Sequence, residues 1–263
     1  NAAELPLPDE IGDLFFTDPP YYDAIPYSDL SDLCYIWLKK MLSEQYPDLF
    51  KDVLTPKSEE IVVNLAEAYD GRGIKDHEYY TSQMTKAFIE GSRALKENGI
   101  GVIVFAHKST SGWESLVKSI VDAGLVVTAS WPIDTERAAR MRAHKSAALG
   151  SSVHIVVRKK NKHGITGEWR DVLNELYRVV NNWMKRLAKE GIVGADAIFA
   201  CIGPALEIFT NYERVEKASG EKVNLNEFLE YVWGSVSKAA LNIVFEGADA
   251  SGFEEDSRIT AMW

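Results

Sequence analysis

An Asp-Pro-Pro-Tyr sequence that directly follows a short apolar run constrains this chain more than any other feature. The run covers residues 11–17 (IGDLFFT), and Asp18, Pro19, Pro20 and Tyr21 follow without a spacer. A short apolar run that ends at a turn is typical of a buried strand. Because ligands of parallel α/β sheets bind beyond the carboxyl ends of the strands, we expect a functional loop at this position.

The first part of the chain alternates between strand and helix patterns. We predict strands at residues 11–17, 100–106, 125–131 and 152–157. Apolar stripes at helical spacing predict helices over 30–41, 80–95 and 113–121, while 43–76 is irregular. We expect Ser28 to cap the first helix and Gly99 to end the second. The alternation favours the α/β class with a parallel sheet in residues 1–160.

The character of the sequence changes after Lys160. Residues 159–167 (KKNKHGITG) have the composition of a linker. Helical stripes follow, and they predict helices near 169–187, at 195–209 with a break near Gly203-Pro204, and at 225–244. We therefore expect two domains, an α/β domain over residues 1–160 and an appended helical domain over 161–263.

Charge and cysteine content restrict the classes of function. The formal net charge of −10 argues against general affinity for nucleic acid, because phosphate contacts need Lys and Arg. Residues 137–160 are the exception, with seven basic residues and no acidic one. Cys34 and Cys201 lie in apolar helical stripes, so we expect both to be buried. Two isolated cysteines and no membrane-length apolar run predict a cytoplasmic protein without a membrane partner.

The Asp-Pro-Pro-Tyr sequence has a chemical rationale. An exocyclic amine of a nucleobase is a poor nucleophile, because its lone pair is delocalised into the ring. Asp18 and the Pro19 carbonyl can accept its two N–H groups, and Pro20 helps to fix the backbone. Tyr21 can stack on a base that has left its duplex. A plain tight turn is the alternative, since Asp and Pro are common in turns.

The surrounding residues favour the functional interpretation and carry a resemblance. Tyr22 and Tyr27 add further aromatic rings, so we treat both as candidate substrate-binding residues. TDPPYYDAIPYSDLSDLCYIWLKK resembles the catalytic motif of large prokaryotic adenine-specific DNA methylases that carry a conserved domain of unknown function (DUF1156). VIVFAHKSTSGWESLVKSIVDAG, ASWPIDTE and GADAIFACIGPALEIF resemble the same family, so the resemblance covers most of the chain.

The resemblance implies a partial Rossmann-like methyltransferase sheet. Its four strands would be equivalent to strands 4-5-7-6 of such enzymes, with residues 152–157 as the antiparallel strand seven. It also implies S-adenosylmethionine as cofactor and DNA as partner. This chain, however, has no glycine-rich turn ahead of Asp18, where these enzymes bind the cofactor. The chain also lacks an initiator Met, so we expect a carboxyl-terminal portion whose missing amino-terminal half comes from elsewhere or from a partner subunit.

Further candidates follow from position and charge. His107 and Lys108 come after the second strand, so we expect them on the same edge as Asp18, as substrate contacts or as a solvated strand end. Arg137, Arg140 and Arg142 lie between the last two strands, as a DNA-facing loop or a solvated one. The histidines lack partners at metal-ligand spacing, so we predict no metal. Two other functions stay open: an RNA amino-methyltransferase, and a non-catalytic binding or scaffold module of a modification or defence system.

Overall fold

The computed structural model describes residues 1–65, 73–133, 152–160, 165–192 and 194–244. The strands in this part of the chain are β1 (Gly12–Thr17), β2 (Leu95–Phe105), β3 (Leu125–Ile133), β4 (Ser152–Lys159), β5 (Thr166–Glu168) and β6 (Arg214–Glu216). The helices are α1 (Tyr27–Leu42), α2 (His77–Ala94), α3 (Thr110–Asp122), α4 (Trp169–Lys189), α5 (Gly194–Ala200), α6 (Ile202–Thr210) and α7 (Leu225–Val244). None of the helices described is both long and apolar enough to cross a membrane.

Four strands form the main sheet in the order β1-β2-β4-β3. β1 and β2 are parallel, and β4 runs antiparallel to both of its neighbours, β2 and β3. β4, the last of these four strands in the sequence, thus lies between β2 and β3. The α/β class and the predicted order of these four strands are confirmed, but the parallel sheet that the alternation favoured is limited to the β1–β2 pair. β5 and β6 form a separate parallel pair that the sequence analysis missed, because three residues are too short for a periodicity to appear.

The core lies on one face of this sheet. Ile103, Phe105 and Ile155 project from neighbouring strands and are almost completely buried. α2 and α3 cover them, and each contributes a large buried side chain, Phe88 from α2 and Trp113 from α3. Trp113 is therefore a core residue, as its place at the start of an apolar stripe suggested.

The helical segment packs directly on the sheet and shares its core. Phe199 of α5 stacks on Trp113 of α3, with ring centroids 5.0 Å apart. α6 lies along the outer edge of β3, where the hydroxyl of Thr210 accepts a hydrogen bond from the backbone N–H of Val127 at 3.3 Å. Cys201 is buried as expected, and the helix break falls there, two residues before Gly203.

Two expectations about burial were wrong. β1 was expected to be a buried strand, yet Leu14 and Phe16 are 60% and 58% exposed. Within the described residues β1 pairs only with β2, so it is an edge strand with one covered face. Cys34 was expected to be buried, but it lies on an exposed face of α1, because this helix packs inward through Tyr35 instead.

Two helix boundaries also differ from expectation. Ser28 does not cap α1, since its hydroxyl donates to the Glu60 carboxylate at 2.6 Å. Gly99 does not end α2, because Leu95 already has extended backbone angles, φ −77° and ψ 138°. That conformation lets Leu95 pair with Gly12 of β1, so the second strand begins five residues earlier than its apolar run.

Candidate functional site

The Asp-Pro-Pro-Tyr loop lies at the carboxyl end of β1. Because β1 and β2 are parallel, the residues that follow β2 reach the same edge of the sheet. Asp18 is exposed, Pro19 is buried and Pro20 is half-buried. The two prolines thus anchor the loop, and the Asp18 side chain that precedes them is exposed at the surface. Among the described residues, the Asp18 carboxylate forms no hydrogen bond or ion pair.

The loop holds a compact backbone conformation after its prolines. Tyr22 has a φ of 56°, in the left-handed region that is uncommon for a residue with a side chain. Its backbone N–H donates to the Pro20 carbonyl at 3.0 Å, and the N–H of Ala24 donates to the Tyr21 carbonyl at 2.9 Å. A left-handed tyrosine persists only where its surroundings hold it in place.

Tyr80 of α2 supplies one of those constraints. Its ring is completely buried, and its hydroxyl donates to the Pro20 carbonyl at 2.8 Å. Burial raises the pKa of Tyr80 well above its ordinary value, so the hydroxyl remains a neutral donor. The Pro20 oxygen therefore receives two hydrogen bonds from the protein, one from Tyr80 and one from Tyr22.

Tyr22 is held by aromatic neighbours on three sides. Its ring lies edge-on to the rings of His77, Tyr80 and His107, with centroids 6.0, 5.2 and 5.4 Å away. Its hydroxyl lies 3.1 Å from His77 Nδ1, which is also 2.9 Å from the hydroxyl of Ser115. Burial is the main cause that raises the pKa of Tyr22. This candidate substrate-binding residue is thus half-buried, and its ring and hydroxyl both contact other side chains of the protein.

His107 connects the loop to the residues that follow β2. It is 7% exposed, so it is not a solvated strand end. Its Nε2 lies 2.9 Å from Asp23 Oδ1 in the loop, and its Nδ1 lies 3.2 Å from the backbone N–H of Ser109. Because a backbone N–H can only donate, Nδ1 is the acceptor and Nε2 carries the hydrogen that Asp23 accepts. This geometry fixes one tautomer of the neutral ring.

The arrangement of Asp23, His107 and Ser109 resembles a catalytic triad of acid, histidine and serine. Their hydrogen bonds, however, are not those of a catalytic triad. The Ser109 hydroxyl lies 2.9 Å from His107 Nδ1, and it also accepts from the backbone N–H of Gly112 at 3.4 Å as the cap of α3. The lone pair of Nδ1 is already engaged by the Ser109 N–H, so it is a poor base for the hydroxyl. The three residues therefore connect and orient the loop.

The remaining candidates occupy different surroundings. Tyr21 is half-buried and lies edge-on to Phe105, with centroids 5.4 Å apart. Tyr27 is 48% exposed at the first position of α1, and Lys108 is exposed directly after His107. Tyr21 and Lys108 thus lie at the same edge of the sheet as Asp18, because they follow the parallel strands β1 and β2.

The basic stretch is divided between two places. Arg137, Arg140 and Arg142 lie outside the described residues. Arg158 and Lys159 end β4, which runs antiparallel to β2 and therefore ends at the sheet edge opposite the loop. There Arg158 donates to the Asn98 carbonyl at 3.2 Å, and Lys159 lies 3.4 Å from the Glu10 carboxylate. The carboxyl end of the stretch is thus remote from Asp18.

One cavity in the described part of the chain lies away from the loop. This cavity of about 800 Å³ lies at the opposite edge of the sheet, between the end of α3, Lys160 and the start of α7, and none of its lining residues belongs to the loop. No group of three or more His, Cys, Asp or Glu side chains in the described part could hold a metal ion.

Sequence reasoning missed the residues that hold the loop. Tyr80 was assigned only to an apolar stripe, and neither His77 nor Asp23 was given a role. Asp23 lies in the loop sequence itself, but its partner His107 is 84 positions away.

Comparisons of the chain with protein-family models, with curated proteins and with solved structures gave no match.

Proposed function

We propose that this chain is the catalytic half of an S-adenosylmethionine-dependent methyltransferase that acts on an exocyclic base amine of DNA, with adenine N6 as the preferred target. The observation that carries the proposal is the position of Asp18-Pro19-Pro20-Tyr21 at the carboxyl end of β1, beside the parallel strand β2. The strand order β1-β2-β4-β3 supports it, because it matches the 4-5-7-6 half of the sheet implied by the family resemblance.

The chemistry of the proposed site follows from how the loop is held. The lone pair of the target amine is delocalised into the ring, and it must become localised on nitrogen before the amine can attack a methyl group. The Asp18 carboxylate accepts one N–H, and the Pro19 carbonyl accepts the other. Two directed acceptors draw the nitrogen toward tetrahedral geometry, and a fixed loop positions it for attack. Tyr80 fixes that loop by its bond to Pro20, so the acceptors need little reorganisation.

The aromatic residues of the loop divide the remaining tasks. Tyr21, half-buried against Phe105, offers its ring to a base that has left its stack. Tyr22 supports the loop from inside through His77 and His107. Lys108 and Tyr27 lie on the exposed side, where they contact the phosphate backbone and the flipped nucleotide. Arg137, Arg140 and Arg142 complete the DNA contacts in this proposal.

The cofactor needs residues that this chain does not supply. S-adenosylmethionine provides the methyl group, but no glycine-rich turn precedes Asp18 in this chain, and the cavity of about 800 Å³ is not lined by the loop. Within the described residues β1 pairs on one side only, so its other edge can accept further strands, and a layer packed on its exposed face would cover Leu14 and Phe16. We therefore assign the cofactor site to an amino-terminal half or a partner subunit that adds strands next to β1.

Calorimetry with S-adenosylmethionine on this chain and on the longest native parent protein tests the proposal. We expect the parent to bind and this chain alone not to bind. Asp18→Ala in the parent should then abolish methyl transfer to DNA while the cofactor still binds. Asp48→Ala, which removes an exposed carboxylate in the segment that follows α1, is the matched control and should keep activity.

Each other outcome of that experiment contradicts part of the proposal. Tight binding by this chain alone would show that the cofactor site lies within these residues. Absence of binding by the parent would reject the methyltransferase and leave the non-catalytic binding module. Transfer to RNA in preference to DNA would replace the substrate and keep the chemistry, since the loop recognises an amine and not a sugar.

A further inference from the structure

Helix α1 turns a wide apolar face to solvent. Leu30, Leu33, Trp37 and Met41 are 65%, 71%, 61% and 68% exposed. With 3.6 residues per turn, these side chains and Cys34 fall within an arc of about 120° on one side of the helix. Isolated exposed apolar residues are ordinary, but a contiguous face of this width marks an interaction site.

The charged residues beside this face differ in sign between the two ends of the helix. Asp29 lies in the first turn, where its carboxylate is 3.9 Å from Lys57 Nζ, and Lys40 lies in the last turn. Both residues lie on the same flank of the apolar arc. In two antiparallel helices that pack face to face, each flank meets the same flank of the other helix. Asp29 of one helix then opposes Lys40 of the other, and the same pair forms again by symmetry.

We propose that α1 pairs with α1 of a second copy of this chain, antiparallel and about a two-fold axis. The charge pattern places that axis midway between positions 29 and 40, so that it passes beside Cys34. At this register Leu30 inserts between Trp37 and Met41 of the second copy. Leu33 inserts between Trp37 and Cys34 of the second copy, so the two faces interdigitate.

The interface is isologous, as a two-fold dimer requires. One pair of helices buries less area than the roughly 800 Å² per partner of a standard interface, so the dimer dissociates on dilution. This inference does not rest on methyl transfer, because it uses only the shape and charge of α1. Its failure would leave the proposed function unaffected.

Cross-linking through the two cysteines of the chain tests the geometry. Cys34 is exposed and Cys201 is buried, so a short bismaleimide reports on α1 alone. We expect a covalent dimer from the wild-type chain and from Cys201→Ser, and none from Cys34→Ser. Sedimentation velocity over a wide concentration range should show a reversible monomer–dimer equilibrium. A chain that stays monomeric and does not cross-link would overturn the proposal and assign this face to another segment.

A charge exchange tests the register. Asp29→Lys and Lys40→Asp should each weaken the dimer by about tenfold, because each places like charges opposite each other twice. The double variant Asp29→Lys/Lys40→Asp should restore the dimer relative to either single variant, since opposite charges face each other again, while Lys57 beside position 29 keeps it weaker than wild type. Leu33→Asp should abolish the dimer, and thermal unfolding should show that the monomer keeps its stability. A dimer that tolerates Leu33→Asp, or a double variant that is not restored, contradicts antiparallel pairing of α1.

Discussion

His107 and Asp23 lie 84 residues apart in the sequence and join through a hydrogen bond of 2.9 Å between Nε2 and Oδ1. The bond links the loop after β1 to the residues that follow β2. Asp23 is largely exposed and His107 is buried, so the buried ring holds the exposed loop. The neighbouring Ser109 N–H fixes the ring tautomer, and therefore Asp23 has a donor in a defined position.

We expect His107→Ala to destabilise the fold by about 2–4 kcal/mol, because it removes buried hydrogen bonds and leaves a cavity. Chemical denaturation with a common slope measures this change. His107→Asn keeps part of the polar contact and should cost less. Long-range ¹H–¹⁵N spectra of the ring should show hydrogen on Nε2. Hydrogen on Nδ1 would contradict the network as we describe it.

Gly112→Ala should displace the His107 ring. An added Cβ would lie closer to His107 Nδ1 than atoms approach without a shift. We expect a loss of roughly 1–3 kcal/mol, in line with other overpacked sites. The same substitution in the His107→Ala background should cost clearly less, because the ring is gone. Equal costs in the two backgrounds would show that the ring is not the obstacle.

Tyr80→Phe tests how the proposed catalytic loop is held. The change removes the hydroxyl that donates to Pro20 and keeps the buried ring. We expect a loss of stability of about 1 kcal/mol, because Pro20 keeps its bond from the Tyr22 N–H. In the parent protein, methyl transfer should fall while cofactor binding stays unchanged. Tyr79→Phe, one position earlier in α2, is the control and should leave methyl transfer unaffected.

The sequence predicts the elements and their order better than it predicts what they touch. Apolar runs and helical stripes locate the four main strands, and the resemblance provides their order. The inward side of α1 could not be found in this way, because its apolar stripe is the exposed side and Tyr35 is buried instead. Periodicity shows that a helix has two faces, but the neighbours decide which one is covered.

The contacts that hold the loop were beyond sequence reasoning for a related reason. Tyr80 fits an apolar stripe, and nothing in its spacing shows that its hydroxyl reaches Pro20, 60 residues away. The extent of β1 was predicted, whereas its exposure was not. The apolar run of β1 is suited to an interior strand. In the described part of the chain, however, β1 pairs with a neighbouring strand on one side only.

Glu90 should make the fold sensitive to acid. The Arg93 side chain is the main cause that lowers the pKa of Glu90 to about 2, and the Leu5 N–H adds to it. A carboxyl with a lowered pKa stabilises the fold above the pKa of the unfolded state, and this contribution is lost as pH falls from about 4.5 toward 2. Glu90→Gln should therefore flatten the stability–pH curve in this range. Glu97→Gln, an exposed carboxyl beyond α2, should leave the curve unchanged.

Neighbouring phenylalanines of β1 should respond in opposite ways to a polar substitution. Phe15 packs against α2, where an added Cβ on Gly91 would lie 2.5 Å from its ring, whereas Phe16 is 58% exposed on the other face. We expect Phe15→Ser to destabilise the chain by about 3 kcal/mol or more, and Phe16→Ser by less than about 0.5 kcal/mol. Denaturation of the two variants measures both values.

The same pair separates the fold of this chain from its proposed assembly. If the missing half adds strands next to β1 and packs a layer on its exposed face, Phe16 is covered in the complete protein, and Phe16→Ser should destabilise the parent far more than it destabilises this chain. Phe15→Ser should affect both to a similar extent, since its contact with α2 is already present here. A Phe16→Ser effect that stays small in the parent would show that the face of β1 stays exposed, and the cofactor-bearing half would then have to dock elsewhere.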